Sequence, residues 1–322
     1  MSSEKKRLLI LLGPTAVGKS ASAIEIAKAV DAEIINCDSM QVYRGFDIGT
    51  DTISRDRMED IPHHLLNIIE PDTQFTAADF VRHAVGAITA IHEAGKLPII
   101  TGGTGLYLQA LIEGLFPDGG KDPDVRRSLE KERESLGLEA LWQQLSEVDP
   151  VYARKIGPRD GVRIIRALEI YRTTGIPFSR HLPKTRSAVK NFNVLQIGLR
   201  MDRNLLYTRI EHRVDRMFSE GIVEETKALL DRGVPPESPP FRALGYKHVV
   251  AFLEGKINEE EAIELTKRDT RRYSKRQMTW FRKKKDILWF DAQDIPAVIT
   301  AVCEHFGLKD KRVSSVLGKG ID

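Results

Sequence analysis

The chain has 322 residues, 41% hydrophobic and 30% charged, with 49 Lys and Arg against 46 Asp and Glu for a net charge of +3. That composition excludes a disordered or collagen-like chain. No run approaches the ~18 apolar residues of a membrane span, the N-terminus lacks the apolar core of a secretory signal, and two distant cysteines, Cys37 and Cys303, exclude a disulfide framework.

In chain order, "RLLILL" (7–12) reads as a buried parallel strand running into a Gly-rich turn. A helix follows to Val30, then a second strand, "AEIINCD" (32–38), and a helix over 76–96 with Phe80, Ala84 and Ile91 at helical spacing. "LPIITGG" (97–103) is a third strand, followed by a helix through "TGLYLQALIEGL". From about Asp122 to Lys184 the pattern is helical with no good strand. Strand-like sequence returns at 192–200, helices are expected over 203–232, 242–254 and 258–284, and a short strand at 287–290 precedes a last helix near 294–306. This alternation predicts an α/β fold: a P-loop NTPase-like, doubly wound and mainly parallel sheet with a helical insertion domain. The expected core is 1–118 with 187–306, the insertion 119–186, and residues 307–322 a fraying tail.

"GPTAVGKS" fits G-x-x-x-x-G-K-[ST], with Gly13, Pro14, Thr15, Ala16, Val17, Gly18, Lys19 and Ser20 as the loop. Backbone N–H groups of such a loop wrap a phosphate chain, the Lys meets the terminal phosphates and the hydroxyl coordinates Mg²⁺. The pattern identifies phosphate binding and leaves the reaction open. No acid ends the third strand, but Asp38 ends the second, and both strand ends share one rim of an open sheet. Asp38 is then a metal-associated acid, a base acting on a second substrate, or a turn residue before "SMQVYRG". "GGTGLY" (102–107) ends the third strand on the same rim, where Thr104 either helps hold an anion or simply caps a helix. His63 and His64 are adjacent on an extended segment and point opposite ways, which suits a structural or substrate-positioning role better than one shared metal ion.

The near-neutral total hides a basic stripe. "TKRDTRRYSKRQMTWFRKKK" (266–285) carries ten Lys or Arg against one acid, Asp269. Arg268, Arg272 and Arg276 step by four along a helix, with Tyr273, Gln277 and Trp280 on the adjoining face. Interleaved cations and aromatics suit RNA phosphates and unpaired bases; the alternative is a solvated basic face over buried aromatics.

From about Leu8 to Phe290 these segments resemble the tRNA dimethylallyltransferases, also called tRNA isopentenyltransferases. The matching stretches are "GPTAVGKS", "NCDSMQVYRGFDIGT", "IPHHLLN", "GGTGLYLQAL", "DPDVR", "VRIIRALEIYRTTG", "RIEHRVDRMFSEG", "RALGYK" and "TRRYSKRQMTWFRK". Eukaryotic members often add a zinc finger, which two cysteines cannot build, so the likeness is to the bacterial type. The resemblance implies a cytoplasmic prenyltransferase, expected as a monomer with no membrane contact. Its substrates would be dimethylallyl diphosphate and the anticodon arm of tRNA, and its cofactor Mg²⁺ at Ser20. The five-carbon group would pass to N6 of the adenine just 3′ of the anticodon, with diphosphate leaving.

The resemblance also implies roles. Lys19, the loop N–H groups, Mg²⁺ and Arg213 would stabilise the departing diphosphate. Asp38 would be the base and Thr104 would position the amine or the diphosphate. The tRNA-contacting positions would be Asp38, Ser39, Met40 and Gln41; Thr104; Arg126; Val162, Arg163, Ile164, Ile165 and Arg166; Arg242, Ala243, Leu244, Gly245, Tyr246 and Lys247; and Arg268, Arg272 and Arg276. Adenylate isopentenyltransferases share the P-loop and Asp, but need neither the basic helix nor the helical insertion. A P-loop kinase would need an Arg-rich lid, which the sequence does not offer.

Overall fold

The computed structural model describes residues 5–115, 122–181 and 186–312. It divides into two compact units, residues 1–109 with 191–322, and residues 110–190. The expected boundary at 118–119 and the last ten residues of the expected tail lie outside the described residues.

The first unit is built on one six-stranded, all-parallel sheet. Its strands are β1 (Arg7–Leu12), β2 (Ala32–Cys37), β3 (His63–His64), β4 (Leu97–Gly102), β5 (Asn193–Arg200) and β6 (Ile287–Asp291), in the order β3-β2-β4-β1-β5-β6. Leu8 to Leu12 are all buried, because a parallel strand covered on both faces needs apolar residues at every position. Leu9, Leu11, Ile34, Ile99, Ile197 and Leu199 form one layer with helices α1 (Lys19–Val30), α9 (Arg203–Ser219) and α13 (Ile295–Phe306). Helix α2 (Ala77–Glu93) packs on β2 and β4 through Phe80, Ala84, Ile88 and Ile91, none of which belongs to that layer. It starts at a capping box, in which the Thr76 side chain and Asp79 satisfy each other's backbone N–H.

The expected helix over 203–232 is two helices, α9 and α10 (Ile222–Asp231). Gly221, at φ 99°, takes a left-handed conformation between them that a side chain would resist. Helix α11 (Leu244–Leu253) and the long α12 (Glu259–Phe281) follow. Asn258 and Glu261 close a second capping box at the start of α12. The tail expected to fray from 307 is tied down as far as it is described: Leu308 packs on the sheet layer and Lys311 pairs with Asp31 at 2.6 Å.

The division at 109/110 falls within α3 (Gly105–Glu113), and the second unit goes on with α4 (Pro123–Leu136), α5 (Leu138–Val148), α6 (Pro150–Ile156), α7 (Gly161–Thr174) and α8 (Phe178–His181). Leu129, Leu141, Leu145, Ala153, Ile164, Ile165 and Leu168 form a core of their own.

Candidate active site

Three strand ends meet at one level. Leu12 of β1 pairs with Gly102 of β4, and Gly102 pairs with Cys37 of β2. The P-loop, Thr104 and Asp38 therefore leave the sheet together at its carboxyl edge, where ligands bind in open α/β folds. Gly102 is required there: a Cβ would fall 2.2 Å from the Cys37 carbonyl oxygen. The Thr104 N–H donates to that same carbonyl at 3.2 Å, and the Ser39 N–H donates to Thr104 Oγ1 at 3.1 Å.

Asp38 Oδ1 accepts from the Met40 N–H at 2.8 Å, which fixes the carboxylate at the rim. Among the described residues its other oxygen accepts no hydrogen bond. Lys19 Nζ donates to the Pro14 carbonyl at 2.8 Å. Burial lowers the Lys19 ammonium to about 8; the nearby Asp38 carboxylate opposes that fall and the Arg213 cation adds to it. Tyr273 and Tyr107 belong to the same neighbourhood: burial, and then in each case negative charge that includes Asp38, pushes both phenols upward.

Arg213, on α9, reaches the loop directly. Its Nη1 donates to Thr15 Oγ1 at 2.9 Å, its Nη2 to the Thr50 carbonyl at 3.2 Å, and its Nε lies 3.4 Å from Asp51 Oδ2. Arg209, one turn earlier, approaches the Val17 carbonyl at 3.4 Å. Gln41, expected to contact RNA, spends its side-chain amide on the carbonyls of Thr50 and Asp51 at 3.0 and 3.2 Å. The loop carrying Thr50 is held by Glu225, which accepts from the N–H groups of Asp47, Ile48 and Gly49 and from the Tyr246 hydroxyl.

That arrangement corrects one expectation. Tyr246 is fully buried, and Gly245 packs beside it against Gly49 and Ile222, so neither offers a side chain to RNA. Arg242 and Lys247 are the exposed members of their segment. Likewise Ile164 and Ile165 lie in the core of the second unit, while Val162 and Arg163 face solvent. A helix must bury one face, and both segments carry packing residues between their exposed ones.

On α12, Arg268, Arg272 and Arg276 are exposed and form a stripe. Arg268 and Arg272 lie 3.2 and 3.5 Å from Asp269, which also accepts from Lys247 at 2.8 Å and His248 at 3.2 Å. Burial raises the Asp269 carboxyl, but those hydrogen bonds outweigh it and hold it well below the usual carboxylate range. Arg276 instead stands over the Tyr273 ring, 5.7 Å from its centroid.

Gln277 is the residue the sequence placed worst. Read as part of an aromatic face for bases, it is buried: its Oε1 accepts from the Thr15 N–H at 2.8 Å and its Nε2 donates to the Gly103 carbonyl at 3.0 Å. Its position inside the basic run masked it, and only the contact with the loop reveals it. His63 and His64 point apart as expected, Nδ1 of His63 to the Ile61 carbonyl and Nε2 of His64 to Glu33.

In the second unit Arg126 and Arg166 both reach Glu169, at 3.6 and 2.8 Å. Arg163 pairs with Asp160 at 2.9 Å.

A family model described as IPP transferase matches residues 41–284. The chain is 48% identical over 288 residues to a tRNA dimethylallyltransferase of Geobacter metallireducens, covering 89% of this chain and 93% of that protein. It is equally similar, at 48% over 288 residues, to one of Carboxydothermus hydrogenoformans, covering 89% and 92%. The full-length tRNA isopentenylpyrophosphate transferase of Bacillus halodurans superposes with a TM-score of 0.70 at 42% identity, covering 94% and 97%. A eukaryotic dimethylallyltransferase seen crystallographically acting on tRNA superposes at 0.75 with 32% identity, covering 90% of this chain and 75% of its own.

Proposed function

The chain belongs to the IPP transferase family of tRNA dimethylallyltransferases; it is a transferase that passes a dimethylallyl group to tRNA, and we propose that the acceptor is N6 of the adenine just 3′ of the anticodon. The observation that carries this reading is the meeting of the P-loop, Asp38 and Thr104 at three level strand ends.

The donor's diphosphate sits in the P-loop, cradled by its N–H groups and by Lys19 and Arg213. The allylic C–O bond breaks and its electron pair leaves with the diphosphate, whose growing charge these cations meet. The N6 lone pair forms the new C–N bond, and Asp38 accepts the N6 proton through its unshared oxygen. Because that lone pair is delocalised into the ring, proton removal is worth ~10²–10⁴-fold. Thr104 Oγ, fixed against Ser39, orients the amine or the diphosphate. The adenine must leave its stack to reach this rim.

Mg²⁺ fits the donor set. Ser20, the second residue of α1, is exposed next to Lys19 and supplies one hydroxyl oxygen. Phosphate oxygens and water would therefore supply the remaining ligands, as Mg²⁺ favours. When bound, the ion neutralises charge on the diphosphate.

The tRNA is read by the exposed cations of α12, by Arg242 and Lys247, and by Arg126, Val162, Arg163 and Arg166 of the 110–190 unit. Incubation with labelled dimethylallyl diphosphate, or separately with labelled ATP, and bulk unmodified tRNA tests the reading. Label should pass to tRNA from the prenyl donor alone; phosphate transfer from ATP would overturn it.

A further inference from the structure

Glu169 is a buried carboxylate that the transfer chemistry does not use. It lies on α7 with its side chain 3% exposed, yet it faces two arginines that are 47% and 30% exposed, Arg126 of α4 and Arg166 of α7. Its Oε2 accepts from Arg166 Nη1 at 2.8 Å and lies 3.6 Å from Arg126 Nη1, while Oε1 accepts from the Asp122 N–H at 3.3 Å. The Asp122 side chain in turn caps α4, the helix that carries Arg126. One carboxylate therefore accepts a hydrogen bond from the guanidinium of Arg166 and pairs by charge with that of Arg126 from a second helix.

We propose that Glu169 is a positioning residue for RNA selection: it holds Arg126 and Arg166 as an oriented pair that discriminates the anticodon stem-loop from other RNA. The proposal rests on the reading of these two arginines as tRNA contacts. A guanidinium is a planar fork whose donors match base edges or phosphates only in a set orientation. Freed of its carboxylate, an arginine still attracts phosphate, but without direction.

The test separates orientation from charge because the two act in opposite senses. Glu169→Gln keeps the shape and a hydrogen-bond acceptor while raising the net charge by one. Charge alone would tighten binding to any RNA. Loss of orientation should instead weaken binding of an anticodon stem-loop carrying the target adenine by about five- to tenfold, the low end of what one bidentate contact supplies. A control RNA with the same stem and a scrambled loop should bind as before or more tightly. The specificity ratio is the readout, measured on the full-length protein by fluorescence anisotropy, with the melting temperature recorded alongside.

A second measurement guards against a purely structural effect. In an Arg126→Ala/Arg166→Ala background, Glu169→Gln should leave the specificity ratio unchanged, since only the charge, which acts on both RNAs alike, is altered. An equal loss in that background, or an unchanged specificity ratio in the single variant, would overturn the proposal. If the double alanine variant itself binds the stem-loop normally, it is the tRNA-contact reading that has failed.

Discussion

Gln277 accepts a hydrogen bond from the backbone N–H of Thr15 at 2.8 Å across 262 positions of chain. One side-chain amide thus fastens the P-loop to α12, and through the Gly103 carbonyl to the end of β4. Thr15 also receives Arg213, so the strut fixes the residue that aims the arginine proposed for the diphosphate. Gln277→Leu should leave the Thr15 N–H and the Gly103 carbonyl unpaired, at a cost of about 1–3 kcal/mol for each group. Denaturant unfolding should report that loss, and isothermal titration should show weaker binding of dimethylallyl diphosphate. Unchanged donor affinity would make Gln277 a packing residue only.

Asp38→Asn keeps the turn with Met40 but removes the basic oxygen. Single-turnover prenylation should slow by ~10²-fold or more, while donor and tRNA affinities stay within a few-fold. Loss of Mg²⁺-dependent donor binding would instead make Asp38 a metal-associated acid. A drop of about 1 kcal/mol in stability with near-normal chemistry would make it a turn residue.

Lys19 supplies a pH dependence with two opposite signs. Its folded pKa of about 8 lies below the ordinary value of 10.5, so between those values the unfolded chain holds more protons than the folded one. Stability of the ligand-free protein should therefore gain from this group as pH rises from 8 to 10.5. Donor affinity should fall over the same window, because the cation proposed to meet the diphosphate is being lost. Lys19→Met should flatten both profiles; melting curves and donor titrations from pH 7 to 10 read them.

The three arginines of α12 are not equivalent. Arg268 and Arg272 share Asp269, while Arg276 has an aromatic ring and no carboxylate among the described residues. Arg276→Glu should reduce the log–log salt slope of tRNA binding by about one for the lost phosphate contact. Donor binding should be unchanged. An unaltered tRNA affinity at ~0.15 M salt would assign Arg276 to a solvated face.

The buried strands were the legible part of the fold. "RLLILL" and "LPIITGG" need apolar residues on both faces, and the first runs straight into a phosphate-loop pattern, so its strand–turn–helix reading followed at once. β3 escaped notice because two residues have no period, and their pairing with Ile34 and Ile35 is a tertiary fact. The break at Gly221 was hidden by helical periodicity on both sides of it. For the site, strand ends could be aligned in advance because parallel neighbours share a rim. Gln277 could not be found that way. Helical spacing sets which residues share a face; it says nothing of which neighbour covers that face.

The floor of the site also limits how the enzyme could be altered in the laboratory. A methyl at Gly102 would overlap the Cys37 carbonyl oxygen, and one at Gly103 would lie 2.2 Å from the Gln277 amide. Saturation libraries aimed at a bulkier prenyl donor or another acceptor base would waste nearly every clone randomised at Gly102, and at Gly103 every clone would have to displace the Gln277 amide. Diversity belongs on the walls, at Ser39, Met40 and Tyr273, whose side chains are partly open to solvent and leave the three strand ends in register.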